Sequence, residues 1–151
     1  MVAIKHFENE QGRVIASVFR DTEHGILMNV FSRSQTGPED LKKVMAFSFE
    51  QIKRKGLTAW ISDISQLEGV NASTVEAARQ SISKKMKNTP LHKWAFVSHK
   101  EPSNERSQIV EAIKCHGVRV KIFASAAKAV EWLVVPKLEE TVWDDVPVLT
   151  F

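Results

Sequence analysis

Short apolar runs alternate along this chain with longer stretches in which apolar positions recur every three or four residues. Arg13-Val-Ile-Ala-Ser-Val-Phe19 is rich in β-branched residues and reads as a strand; Val2 to Glu8 reads as a preceding edge strand that ends at the turn Asn9-Glu-Gln-Gly12. Asp21-Thr-Glu-His-Gly25 is a hairpin turn, and Ile26 to Phe31 returns as an antiparallel strand, since so short a connection cannot make a parallel crossover.

Helical spacing begins after Thr36-Gly-Pro-Glu39. Thr36 is placed to cap, Glu39 to return the bond, and Pro38 to sit in the first turn, where its missing N–H costs nothing. Leu41, Val44, Met45, Ser48 and Ile52 then fall on one face, widened by Phe49. Lys53-Arg-Lys55 complements the negative end of the helix before Gly56 stops it, which accounts for this basic cluster without a nucleic acid.

Leu57 to Ile61 is compact enough for a strand buried on both faces, and it leads through Asp63 into a polar loop. A second helix runs from about Ala72 to Lys87, with Ser73-x-x-Glu76 as its capping box and a thin stripe of Val75, Ala78, Ile82 and Met86. Lys93 to Ser98 is another buried strand. Pro102-Ser-Asn-Glu opens a third helix carrying Ile109, Val110 and Ile113, stopped by Gly117. Val118 to Phe123 is the last strand, and Ser125 caps a helix with Ala126, Ala129, Val130 and Leu133 facing inward, closed by Pro136. The expected order is three strands, then helix and strand three times, then a helix. That is an α/β fold on the border of α+β, in which antiparallel opening strands precede a parallel part built by right-handed crossovers. The strand near 58–62 should be central, and parallel to those near 93–98 and 119–123.

With 151 residues and neither an internal repeat nor a linker, the chain reads as one domain over residues 1–136 followed by an extended tail over 137–151. The tail mixes Glu139, Glu140, Asp144 and Asp145 with Val142, Trp143, Val146, Val148, Leu149 and Phe151, a composition that suits an arm packed on its own domain or joining a homodimer. The net charge of +3, with 21 basic and 18 acidic residues interspersed, makes no case for nucleic acid. No run approaches the ~20 apolar residues of a membrane span. The N-terminus carries charges where a signal peptide needs an apolar core, and the single Cys115 fits a reducing compartment, so the cytoplasm is the expected location.

Catalytic chemistry finds no support in the pattern. The histidines, His6, His24, His92, His99 and His116, offer no pair at helical i, i+4 spacing for a metal. Cys115 and His116, adjacent on a helix, point about 100° apart and make no dyad; the cysteine is expected to be buried or half-buried. The glycines are isolated at element ends, so no phosphate-binding loop and no cofactor is implied.

The loop after the central strand is the candidate site, because ligands of open α/β sheets bind outside the carboxyl ends of the strands. Asp63, Ser65, Asn71 and Ser73 are its candidate partner- or ligand-contacting residues. Asp63 is expected to bond nearby loop amides and Ser73 to cap the following helix.

Asp63-Ile-Ser-Gln-Leu-Glu-Gly-Val-Asn71-Ala-Ser73-Thr resembles the D-L-S-x-V-x-x-x-D-S-S-G stretch of the SpoIIAA-like branch of STAS domains, the family of anti-sigma-factor antagonists and of sulphate-transporter tails. Val118 to Leu133 is similar to that family's closing strand and helix, and Gly25 to Phe31 with Thr36 to Leu41 to its second strand and first helix. The resemblance covers about residues 10–134. It implies a STAS-like mixed sheet and a non-enzymatic regulatory module, switched by phosphorylation of a serine at the head of the helix. That serine falls on Ala72 here, the preceding aspartate on Asn71, the second serine on Ser73 and the glycine on Thr74, so only Ser73 is left as a phosphosite, one position along. Two functions follow from the resemblance: a protein-interaction or regulatory module docking an unknown protein partner, and a carrier or sensor of a small apolar, lipid-like ligand. The second rests on likeness to CRAL-TRIO lipid-transfer folds. A cavity beside the sheet, lined by Phe47, Phe49 and the second helix, would favour the ligand; a flat, closed core would favour the partner.

Overall fold

The computed structural model describes residues 1–68, 70–101 and 103–134. Strands β1 (Val2–Glu8), β2 (Val14–Asp21) and β3 (Ile26–Phe31) open the chain and pair antiparallel. Then follow α1 (Pro38–Lys55), β4 (Ala59–Asp63), α2 (Ala72–Lys85), β5 (Lys93–Val97), α3 (Asn104–Lys114), β6 (Arg119–Phe123) and α4 (Ala126–Val134). The strands lie side by side in sequence order, β1-β2-β3-β4-β5-β6, with β3 to β6 mutually parallel. The expected mixed sheet is therefore the observed one, with the Trp60 strand flanked by parallel neighbours.

Sequential order has a consequence for the layers. Right-handed crossovers taken repeatedly in one direction pass over the same face of the sheet. Helices α1, α2 and α3 accordingly share one face, where Met45, Phe49, Ile52, Ile82, Met86 and Ile113 meet Leu27, Trp60, Trp94 and Phe96. Among the described helices α4 alone turns to the other face, where Ala129, Trp132 and Leu133 pack on Ile26, Ala59, Ile61, Ala95 and Val97. The two alanines in the strands let that helix approach closely. Its carboxyl end is held by the buried Lys93, whose Nζ donates to the Trp132 carbonyl at 2.9 Å, a cation at the negative end of a helix.

Gly25 and Gly56 sit where the backbone needs positive φ, at 68° and 63°. Gly25 also passes so close to the start of β4 that a Cβ there would lie 3.2 Å from Thr58 Oγ1, while its carbonyl accepts from the N–H groups of Thr58 and Ala59. The hairpin turn is thus the point at which the antiparallel half of the sheet is joined to the parallel half.

Three local expectations need correction. The N-cap of α1 is Gly37, with no side-chain bond, and not Thr36; Thr36 lies one residue upstream, beyond the reach of the first-turn N–H groups, and is buried. The N-cap of α2 is Asn71, whose Oδ1 accepts from the Thr74 N–H at 3.0 Å, so Ser73 lies inside the helix and its hydroxyl donates to Asn71 at 2.7 Å. Cys115 is exposed, because α3 ends there on its solvent side. The expected α3 opening at Pro102, the Pro136 stop and the tail over 137–151 fall outside the described residues.

Candidate functional site

Beyond the carboxyl ends of β3, β4 and β5, α1, α2 and α3 do not close completely over the sheet. A cavity of about 80 Å³ lies there, walled by Phe31, Leu41, Met45 and Trp94 on the sheet and α1 side and by Val75, Ala78 and Ile82 of α2. It adjoins a second space of about 270 Å³ that runs out between the loop 64–70 and the head of α3. Ile64, Leu67, Val70, Val75, Phe96 and Ile109 line both. Together they make a cleft at the small end of the ~300–1,000 Å³ usual for ligand sites.

The α2 stripe forms the inner wall for a simple reason. Ala77, Ala78 and Ser81 are small, so α2 can lie in the groove between α1 and α3, while Ala78 leaves space toward the sheet that a larger side chain would fill. Phe47 and Phe49, expected in this wall, are elsewhere. Phe49 is wholly buried with its ring edge-on to Trp60 at 5.0 Å, and Phe47 packs against Phe7 at 5.7 Å.

The loop after β4 roofs the cleft. Its polar residues shape it and its apolar residues face inward. Asp63 Oδ1 accepts from the Ser65 N–H at 3.0 Å and from the Ser65 hydroxyl at 2.6 Å, the loop-amide role expected of it. Asn71 caps α2, and the exposed Ser73 bonds to Asn71. None of these four side chains lines the cleft. Ile64, Leu67 and Val70 do, three apolar residues spaced by three through a polar loop, and that periodicity was the available sequence signal. The loop is tethered on both sides: Lys100 Nζ donates to the Leu67 carbonyl, Arg33 Nε donates to Gln66 Oε1 at 3.1 Å, and the Ile64 N–H donates to the Val97 carbonyl at 3.0 Å.

Polarity is distributed unevenly. The outer space is rimmed by Lys100, Glu101, Ser103, Glu105 and Arg106. Arg106 Nη1 reaches the Lys100 carbonyl at 3.2 Å and the Ser98 hydroxyl at 3.4 Å, which fixes its guanidinium at the mouth. The inner space has apolar walls except for the hydroxyls of Thr36, Ser62 and Thr74. An apolar interior with a charged rim can hold an apolar or amphipathic molecule with its wet end outward.

Away from the cleft, Asp21, Glu23 and His24 bring ligand-type atoms within 4.8 Å of one another at the β2–β3 turn. His24 Nδ1 and Asp21 Oδ2 are 2.8 Å apart, and this bond holds the Asp21 carboxyl below its usual range and the His24 imidazole above its own. The pair closes a hairpin. Among the described residues no helix is long and apolar enough to cross a membrane.

A mixed sheet in sequence order, three helices on one face and a fourth behind, defines an α/β protein with a SpoIIAA-like fold. A crystal structure similar to it is that of an uncharacterized protein from the DUF3478 family with a SpoIIAA-like fold, from Shewanella loihica PV-4, at 15% sequence identity and a TM-score of 0.54, over 88% of this chain and 98% of that one. No protein-family model and no curated protein matches the chain.

Proposed function

We propose that this chain is a non-catalytic carrier or sensor of a small apolar ligand, held in the cleft between the sheet and helices α1, α2 and α3. The observation that carries the reading is the adjacency of the inner and outer spaces, which share six wall residues, under a roof loop held from both sides. A closed core would have favoured protein docking alone. The cytoplasm is the proposed location.

The regulatory reading joins this one at the same loop. Val70 is 39% exposed and stands at the rim beside Leu67, so a ligand pressing on the roof from beneath would change the surface that a protein partner meets. We place partner recognition there as the sensor's output.

Native mass spectrometry of the purified chain tests the carrier reading. It should show a mass excess that denaturation releases, or saturable uptake of the apolar dye Nile red. Ala78→Phe, which fills the inner space from α2, should abolish both while leaving the fold intact. A native mass equal to the sequence mass, with dye uptake that Ala78→Phe does not alter, would overturn it.

A further inference from the structure

Thr36 Oγ1 is buried without a hydrogen-bond partner among the described residues; the residue is 4% exposed and lines the inner cavity. Leaving a buried hydroxyl unpaired is costly, and native proteins rarely do so away from a functional site. Its backbone lies against the first turn of α2, where Thr74 Oγ1 shares its one proton between the Thr36 carbonyl at 3.3 Å and Asn71 Oδ1 at 3.0 Å. Ser62, 4% exposed on β4, lines the same cavity. Its Oγ accepts from Trp94 Nε1 at 2.9 Å, which leaves the hydroxyl proton of Ser62 unclaimed by any described group.

Resting on the carrier reading, we propose that the ligand bears a neutral oxygen acceptor, a carbonyl, ester or hydroxyl oxygen, within its apolar body, and that Thr36 and Ser62 donate to it. Two free O–H groups in an otherwise apolar wall match an acceptor. An ionised carboxylate does not fit at this depth, since it would need a cation beside it, and Lys100 and Arg106 stand on the outer space. The inner end of the cleft therefore selects an uncharged oxygenated chain, and any charge on the ligand stays at the rim.

Hexane and 2-hexanone titrated into the wild type, Thr36→Val and Thr36→Ser separate the possibilities, with the Trp94 indole N–H resonance as readout. Valine keeps the shape of threonine and removes only the donor. One neutral hydrogen bond corresponds to about a fivefold affinity change. 2-Hexanone should bind Thr36→Val about fivefold more weakly than wild type, Thr36→Ser should restore it, and hexane should bind the wild type and Thr36→Val alike. If both probes bind and respond equally to Thr36→Val, the oxygen contact is refuted and the apolar site stands. If neither shifts the resonance in the wild type, the carrier reading falls as well.

Discussion

Trp60 and Trp94 stack face to face across β4 and β5, with ring centroids 3.8 Å apart and planes 7° from parallel. They are register partners on parallel strands, so both rings rise from the same face of the sheet. Each indole N–H is satisfied from the sheet itself: Trp60 donates to Asn29 Oδ1 at 2.5 Å and Trp94 to Ser62 Oγ at 2.9 Å. Asn29 in turn donates to the Ser48 hydroxyl of α1 at 3.0 Å, and Ser48 to the Val44 carbonyl at 2.7 Å. Asn29→Ala strands the Trp60 N–H in the core, so urea unfolding should show a loss of about 1–3 kcal/mol. The far-ultraviolet exciton couplet of the stacked pair should weaken in the same variant.

The head of α2 separates two residues that look alike in sequence. Asn71 Oδ1 gathers the Thr74 N–H and the hydroxyls of Ser73 and Thr74, whereas Ser73 caps nothing. Asn71→Ala should cost about 1 kcal/mol of stability. Ser73→Ala should stay within about 0.5 kcal/mol of wild type, as expected for an exposed position away from a cap. Ser73→Asp should match wild type in stability, since a carboxylate in the first turn of a helix meets the positive end of its dipole. Chemical denaturation of the three variants checks the order.

Much of the fold was legible because its signals are local and redundant. β-Branched runs, a five-residue turn at Asp21–Gly25 and glycines at helix ends fix the elements, and the absence of room for a crossover fixes β2 against β3. The cap of α2 is ambiguous in sequence because Ser73 and Asn71 both satisfy capping chemistry, and the backbone angles of Asn71 decide between them. The cleft was legible in place but not in composition. The loop after the central strand is recognisable from topology, and its polarity points to Asp63, Ser65, Asn71 and Ser73, while the loop side chains that line the cavity are Ile64, Leu67 and Val70. Threonine before Gly-Pro fits a capping role; the burial of Thr36 depends on how α2 packs against the loop, which no local pattern encodes.

The β2–β3 turn should titrate as a unit. The Asp21 bond raises the His24 pKa, so its stabilising contribution is full below the ordinary histidine value and is lost as pH rises through the folded one. The His24 bond lowers the Asp21 pKa, so that contribution is full above the ordinary carboxyl value and is lost as pH falls through the folded one. Both are present together from mildly acidic pH up to the ordinary histidine range. In an NMR titration, the His24 ring resonances should move above the ordinary histidine range, and Asp21→Asn should bring them back to it.

On the face of the sheet behind α1, α2 and α3, α4 lies across β4 to β6 and reaches Ile26 of β3. Beside α4, register places Ala3, Phe19 and Met28 in one row across β1, β2 and β3, with Phe19 and Met28 half-buried. A second row holds His6, Ser17 and Val30. Residues 137–151 follow shortly after α4 ends on this face, and their Val142, Trp143, Val146, Leu149 and Phe151 supply the apolar side chains such a strip would take. At ~3.3 Å per residue an extended arm of that length reaches ~50 Å, enough to cross from one copy to the next. We expect the arm to cover this strip on a second copy, an exchange that closes as a symmetric pair. Sedimentation equilibrium should then give a dimer for the full chain and a monomer after truncation at Pro136. Phe19→Ser, made on the strip in the full chain, should also give a monomer. If truncation leaves the mass unchanged and lowers only the unfolding midpoint, the arm packs on its own domain.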